Sequence, residues 1–125
     1  MKGYQDLDIY KIAFELSVKV HHLSLKLPAY ELYETGSQVR RSSKSVTTNI
    51  VEGYGRKRYK ADFIKFLTYA HASCDETLLH LTYIENLHLK NEPELLALKI
   101  SYIDLSKKIF NFIQFVEKNW NSSKE

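Results

Sequence analysis

A chain of 125 residues has the length of one ordinary domain, so one hydrophobic core and no second folding unit are expected over 1–125. Hydrophobic residues at 44% and charged residues at 26% exclude a disordered composition, and 4 glycines and 2 prolines are too few turn formers for a β-rich fold. The net charge of +3 is mild but uneven: between Gln38 and Lys60 seven basic residues meet the single acid Glu52, for +6, while eleven basic and fourteen acidic residues elsewhere sum to −3.

The opening "MKGYQDLDIY" lacks the apolar run of a signal peptide, and the lone Cys74 has no partner for an intramolecular disulfide, so a cytoplasmic protein is expected. Ile9, Ala13, Leu16, Val20, Leu23 and Leu27 step by three and four residues, predicting a first helix at about 6–27 that stops before Pro28. A second helix, at about 31–54, has a thin apolar face of Val39, Val46 and Ile50 with Ser42 and Ser43 beside it. So narrow a stripe needs support on its flanks. Gln38, Ser45, Asn49 and Glu52 fall on one flank and are expected to form a structural or interface seam, with Glu76 of the next helix as a possible ion-pair partner for Arg40 and Arg41.

Phe63, Leu67, Ala70, Cys74, Thr77, Leu81 and Ile84 continue the stepping along a third helix at about 59–89. In "NEPE", Asn91 suits a cap, Pro93 a first turn and Glu94 a capping-box position; they open a fourth helix at about 92–119, striped by Leu95, Leu98, Tyr102, Leu105, Ile109, Phe112 and Val116. The tail 120–125 is expected to fray. Four such helices joined by short loops predict an all-α, up-down four-helix bundle.

The charge excess gathers in "QVRRSSKSVTTNIVEGYGRKR", where Arg40, Arg41, Lys44, Arg56, Lys57, Arg58 and Lys60 are the candidate phosphate contacts. Arg56 to Arg58 stand just before a helix N-terminus, whose free amides and dipole favour anions. A solvated charged face is the plainer explanation. His71, Cys74 and Asp75 have spacing compatible with two or three metal ligands, but no second cluster completes a site, and Cys74 falls on the core stripe, where a thiol is inert. No metal and no cofactor are expected. The motifs GxSxG, HExxH and SxxK do not occur, and Asn49 beside Glu52 is not an acid/base couple, so no catalytic residue is assigned and the protein is read as a non-enzyme.

Read together, Leu7-Asp8-Ile9-Tyr10 with Ala13, then Pro28, Glu31, Gln38, Arg40-Arg41, Ser45-Val46 and above all Asn49-Ile50-Val51-Glu52-Gly53-Tyr54-Gly55-Arg56 form a specific combination. Phe63, Phe66-Leu67, Ala70 and Ser73-Cys74-Asp75-Glu76 extend it into the third helix. On these residues the chain resembles, over nearly its whole length, the four helix bundle protein family encoded in intervening sequences of bacterial 23S rRNA genes. That family is similar to the accessory variability determinant proteins of diversity-generating retroelements, basic homopentamers that bind nucleic acid and a reverse transcriptase. The chain departs from the family at Glu34-Thr35, where Gly-Leu is common, and at Ser42-Ser43, where alanines are common. The resemblance implies a homo-oligomer, a pentamer by preference, with RNA or DNA as a possible partner and no membrane. The alternative is a protein–protein scaffold that binds no nucleic acid; the direction of Arg40 and Arg41, outward or into the structure, bears on the choice.

Overall fold

The computed structural model describes residues 3–121. A 3-10 turn at Tyr4–Asp6 leads into α1 (Asp8–Ser24); a one-turn helix, α2 (Ala29–Leu32), precedes α3 (Thr35–Gly55), and α4 (Lys60–Leu87) and α5 (Pro93–Asn119) complete an all-α four-helix bundle. The long helices pack in the cyclic order α1, α3, α4, α5 and back to α1, so α1–α3 and α4–α5 form opposite edges. At 1.5 Å per residue the 28 residues of α4 span about 42 Å. The predicted stripes form the core, except that Phe112 is half-buried at its edge: Ala13, Val39, Val46, Ile50, Phe63, Leu67, Leu81, Leu95, Leu105 and Ile109 are fully buried.

The second helix starts later than its periodicity suggests. Glu34 has φ −108° and ψ −101°, which breaks the helix between α2 and Thr35. Buried Glu31 spans the break. Its carboxylate accepts from the Thr35 hydroxyl at 3.0 Å and the Thr35 amide at 3.4 Å, supplying the free start of α3 with an acceptor from the preceding turn. The other carboxylate oxygen meets His88 Nε2 at 2.8 Å, tying this turn to the C-terminal end of α4. Arg40 closes the same corner from inside α3, donating to Ser24 Oγ and to the Leu32 carbonyl, both at 2.7 Å. Gly36 fits a tight corner here, because a Cβ would lie 3.0 Å from both the Glu31 carbonyl and the Arg40 guanidinium. At the start of α5 the cap is Glu92, whose carboxylate accepts from the Glu94 amide at 3.0 Å. Asn91, the expected cap, instead takes the left-handed φ of 64° that turns the chain, a conformation asparagine tolerates better than most residues.

Between α3 and α4 the bundle is polar inside. Thr77 Oγ1 lies 2.9 Å from Ser42 Oγ and 2.8 Å from the Ser73 carbonyl, and Ser45 Oγ lies 2.9 Å from Ser73 Oγ. Asn49 extends the row, donating to the Ser45 carbonyl at 2.9 Å and to its hydroxyl at 3.0 Å. Of the expected seam, Ser45 and Asn49 sit in this row, whereas Gln38, Glu52 and Glu76 are exposed. Glu52 pairs with Arg56 at 3.3 Å and Glu76 with His80 at 3.4 Å, and among the described residues neither acid pairs with Arg40 or Arg41. The Tyr102 hydroxyl is buried near Ser43 without a hydrogen bond of ordinary geometry, and burial pushes its pKa up.

The hydrogen bond from His88, reinforced by the Thr35 donors against the opposing effect of burial, holds the Glu31 carboxyl below its ordinary range. With the folded pKa below the unfolded value of about 4.3, the stabilisation is complete above that pH and is lost as pH falls through the folded pKa. Glu31→Gln is therefore expected to melt below wild type at neutral pH, with the two thermal midpoints converging in acid. A constant difference across the titration would show that Glu31 contributes through packing alone.

Candidate nucleic-acid interface at the α3–α4 turn

The basic segment that is continuous in sequence is divided in space. Arg41 and Lys44 are exposed midway along α3, Arg41 donating to Ser37 Oγ at 3.0 Å, while Arg56 to Lys60 form the turn at the end of the bundle. Twelve residues of helix, about 18 Å, separate Lys44 from Arg56. Arg40 lines a recess on α3 with Arg41 and Lys44, but it is half-buried and its guanidinium is occupied by Ser24 and Leu32.

Within the turn the cations have different surroundings. Arg56 lies 3.3 Å from Glu52 and 3.6 Å from Asp62, with its guanidinium 4.9 Å from the centre of the Phe66 ring, so it bridges the end of α3 to the start of α4. Lys60 donates to the Glu117 carbonyl at 2.6 Å, near the C-terminal end of α5, where the helix dipole favours a cation. Lys57 and Arg58 are exposed; the Lys57 ammonium rests 4.3 Å from the centre of the Tyr54 ring and the Arg58 guanidinium 6.0 Å from that of Tyr59.

The turn is braced from below. Trp120 donates its indole N–H to the Lys57 carbonyl at 2.9 Å and packs edge-on against Phe63, with ring centres 5.2 Å apart. Trp120, where fraying was expected to begin, is thus held against the turn; the rest of that expectation, 122–125, lies outside the described residues. Gly55, Lys57, Arg58, Trp120 and Asn121 line a shallow recess beside the turn. Sequence reasoning missed Trp120, because a contact across more than sixty residues has no local signal. Tyr59 could have been found, since "GRKRYK" places an aromatic among cations.

The candidate metal ligands do not converge. His71 meets Ser106 of α5 at 3.0 Å, Cys74 is buried and Asp75 is exposed; among the described residues no group of three or more His, Cys, Asp or Glu side chains is placed to hold a metal ion. Burial, with the Asp75 charge adding to it, pushes the Cys74 thiol up to about 12, which keeps it protonated and unreactive at neutral pH.

A model of the 23S rRNA-intervening sequence protein family matches residues 5–111. The chain belongs to that family. In fold it is similar to a crystal structure, at 1.70 Å resolution, of a protein of unknown function from the S23 ribosomal protein family of Bacteroides thetaiotaomicron, with a TM-score of 0.73, 20% identity, and coverage of 85% of this chain and 98% of the other. Among curated proteins no match is found. The family match includes the whole basic turn, and no enzymatic family is indicated.

The turn's position depends on a close approach of α3 to α4 at Gly53, where a Cβ would lie 3.1 Å from Phe66 Cβ and 3.3 Å from the Phe63 carbonyl. A Cβ there crowds α4, and the two methyls of a valine crowd it further. Gly53→Val is expected to lower stability by about 1–3 kcal/mol in urea unfolding. Gly55→Ala, with no neighbour within 4 Å, should be neutral or raise stability by up to about 1 kcal/mol.

Proposed function

We propose that this family member is a non-enzymatic, cytoplasmic, homo-oligomeric bundle that binds RNA or DNA through phosphate contacts at the α3–α4 turn. The observation that carries the reading is the turn itself, where exposed Lys57 and Arg58 rest on aromatic rings while Arg56 and Lys60 tie the turn down. Arg41 supplies a second, weaker contact on α3, Lys44 lies at the edge of the α1–α3 groove, and Arg40 acts as a brace for the fold. Contacts of this kind grip the backbone without reading sequence. The family's name concerns rRNA, and RNA is the first ligand to test.

The homo-oligomer is supported by two apolar surfaces on opposite edges of the bundle. Phe14 and Val18 of α1, with Ser17, His21, Thr47 and Lys44, line a groove on the α1–α3 edge. On the α4–α5 edge Leu79, Ile100, Ile103 and Phe110 are exposed, Ile100 at 67%. The bonds Ser42–Thr77 and His71–Ser106 set these residues at similar heights along the bundle. Unlike surfaces on opposite edges at one height suit head-to-tail contacts that close a ring. Five copies is the number that the resemblance to the retroelement accessory proteins implies.

Gel-shift titrations with RNA, single-stranded DNA and duplex DNA at two salt concentrations test the first part. Affinity should fall steeply with salt, and Lys57→Gln with Arg58→Gln should lower the slope by about 0.7–0.9 per lost phosphate contact. Absence of binding to all three at low salt would leave the protein-binding scaffold in its place. For the assembly, Ile100→Glu with Ile103→Glu is expected to convert the oligomer to a helical monomer in light scattering; a wild type already monomeric across micromolar concentrations refutes the ring.

A further inference from the structure

One element of the fold is held firmly and buries almost nothing. Of the four residues of α2 only Glu31 is buried; its carboxylate takes bonds from the Thr35 hydroxyl and amide and meets His88, while Arg40 donates to the Leu32 carbonyl. What this bracing presents is aromatic. Tyr33, the residue that closes α2, is 84% exposed and Tyr30 71%, the highest values for large hydrophobic side chains among the described residues. The surroundings are acidic. Over 25–35 and 87–96 the cations Lys26 and Lys90 face four carboxylates, those of Glu31, Glu34, Glu92 and Glu94, a net of −2 with histidine neutral. Glu92 and Glu94 share Lys26, at 3.8 and 3.2 Å, and exposed Glu34, next to Tyr33, has no ion-pair partner among the described residues.

We propose that this end of the bundle docks an arginine-rich segment of another protein, its guanidinium groups lying on the Tyr30 and Tyr33 rings and pairing with Glu34. A tyrosine face attracts a cation, and a carboxylate beside it supplies the opposite charge. Guanidinium suits both, because it is planar, stacks on rings and meets a carboxylate with a fork of donors. The chain makes the same kind of contact internally, where the Arg56 guanidinium lies 4.9 Å from the centre of the Phe66 ring and pairs with Glu52 and Asp62. A platform fixed in advance loses little freedom on binding, and tyrosine, with two side-chain torsions, is a low-cost anchor. The net negative charge disfavours nucleic acid here, so this docking does not depend on what the α3–α4 turn binds. A second copy is a poorer occupant: each of the four arginines, Arg40, Arg41, Arg56 and Arg58, already has a partner in its own bundle.

The test is fluorescence anisotropy with a labelled oligoarginine, an oligolysine and an oligoglutamate of the same length. Wild type is expected to bind oligoarginine at least about threefold more tightly than oligolysine, and oligoglutamate not at all. Tyr30→Ala with Tyr33→Ala should weaken oligoarginine binding by about five- to thirtyfold, the usual worth of two exposed cation–π contacts, and Tyr30→Phe with Tyr33→Phe should retain it. Glu34→Gln should weaken binding and reduce its salt dependence. Tyr69→Ala, which removes an exposed tyrosine midway along α4, should change nothing. Circular dichroism confirms that each variant is folded. Absence of oligoarginine binding by wild type, equal affinity for oligoarginine and oligolysine, or a Tyr30→Ala, Tyr33→Ala variant that loses no more than Tyr69→Ala overturns the proposal. So does a smaller assembly of the Tyr30→Ala, Tyr33→Ala variant in light scattering, since a second copy would then be what covers this end.

Discussion

The structure depends on how α3, a helix with few apolar residues, is held in a bundle. Val39, Val46 and Ile50 fill one narrow strip, and the positions beside them are serines. An apolar partner would leave the Ser42 and Ser45 hydroxyls only their contacts within α3, with Val39 and Asn49. Helix α4 answers with Ser73 and Thr77, and the hydroxyls of the two helices bond to one another. Small residues on both sides also let the backbones approach, ending in the close contact at Gly53. Because hydrogen bonds are directional, this seam sets the register of α3 on α4 more sharply than leucines would.

That register governs both ends of the bundle. At one end it brings Glu31, His88, Thr35 and Arg40 into a corner in which the Glu31 carboxylate and the Arg40 guanidinium both have hydrogen-bond partners. At the other it presents the Arg56–Tyr59 turn to solvent on a base of Phe63 and Trp120. Charges at the first end are used for folding. At the second, Arg56 and Lys60 tie the turn to its neighbours, and Lys57, Arg58 and Tyr59 lie at the surface. Cys74, buried in the core, keeps its thiol protonated at neutral pH.

Much of this fold was legible in the sequence, because helical periodicity is a local property. The stripes Ile9 to Leu27, Phe63 to Ile84 and Leu95 to Val116 each specify a buried face without reference to any other segment, and Pro93 marks the start of α5. Periodicity does not report caps and breaks made by distant partners. The start of α3 moved to Thr35 because Glu31 and His88, fifty-seven residues apart, meet there, and Asn91 lost the capping role to Glu92 through a local choice of backbone geometry.

The site divides along the same line. Sequence alone determined the helices, the family resemblance and the concentration of positive charge between Gln38 and Lys60, since all three follow from residue type and spacing along one chain. Tertiary structure decided which of those charges face outward. Arg40 and Arg41 are neighbours in sequence, yet one turns in to Ser24 and the Leu32 carbonyl while the other remains at the surface, because adjacent residues on a helix project about 100° apart and α1 covers one side alone.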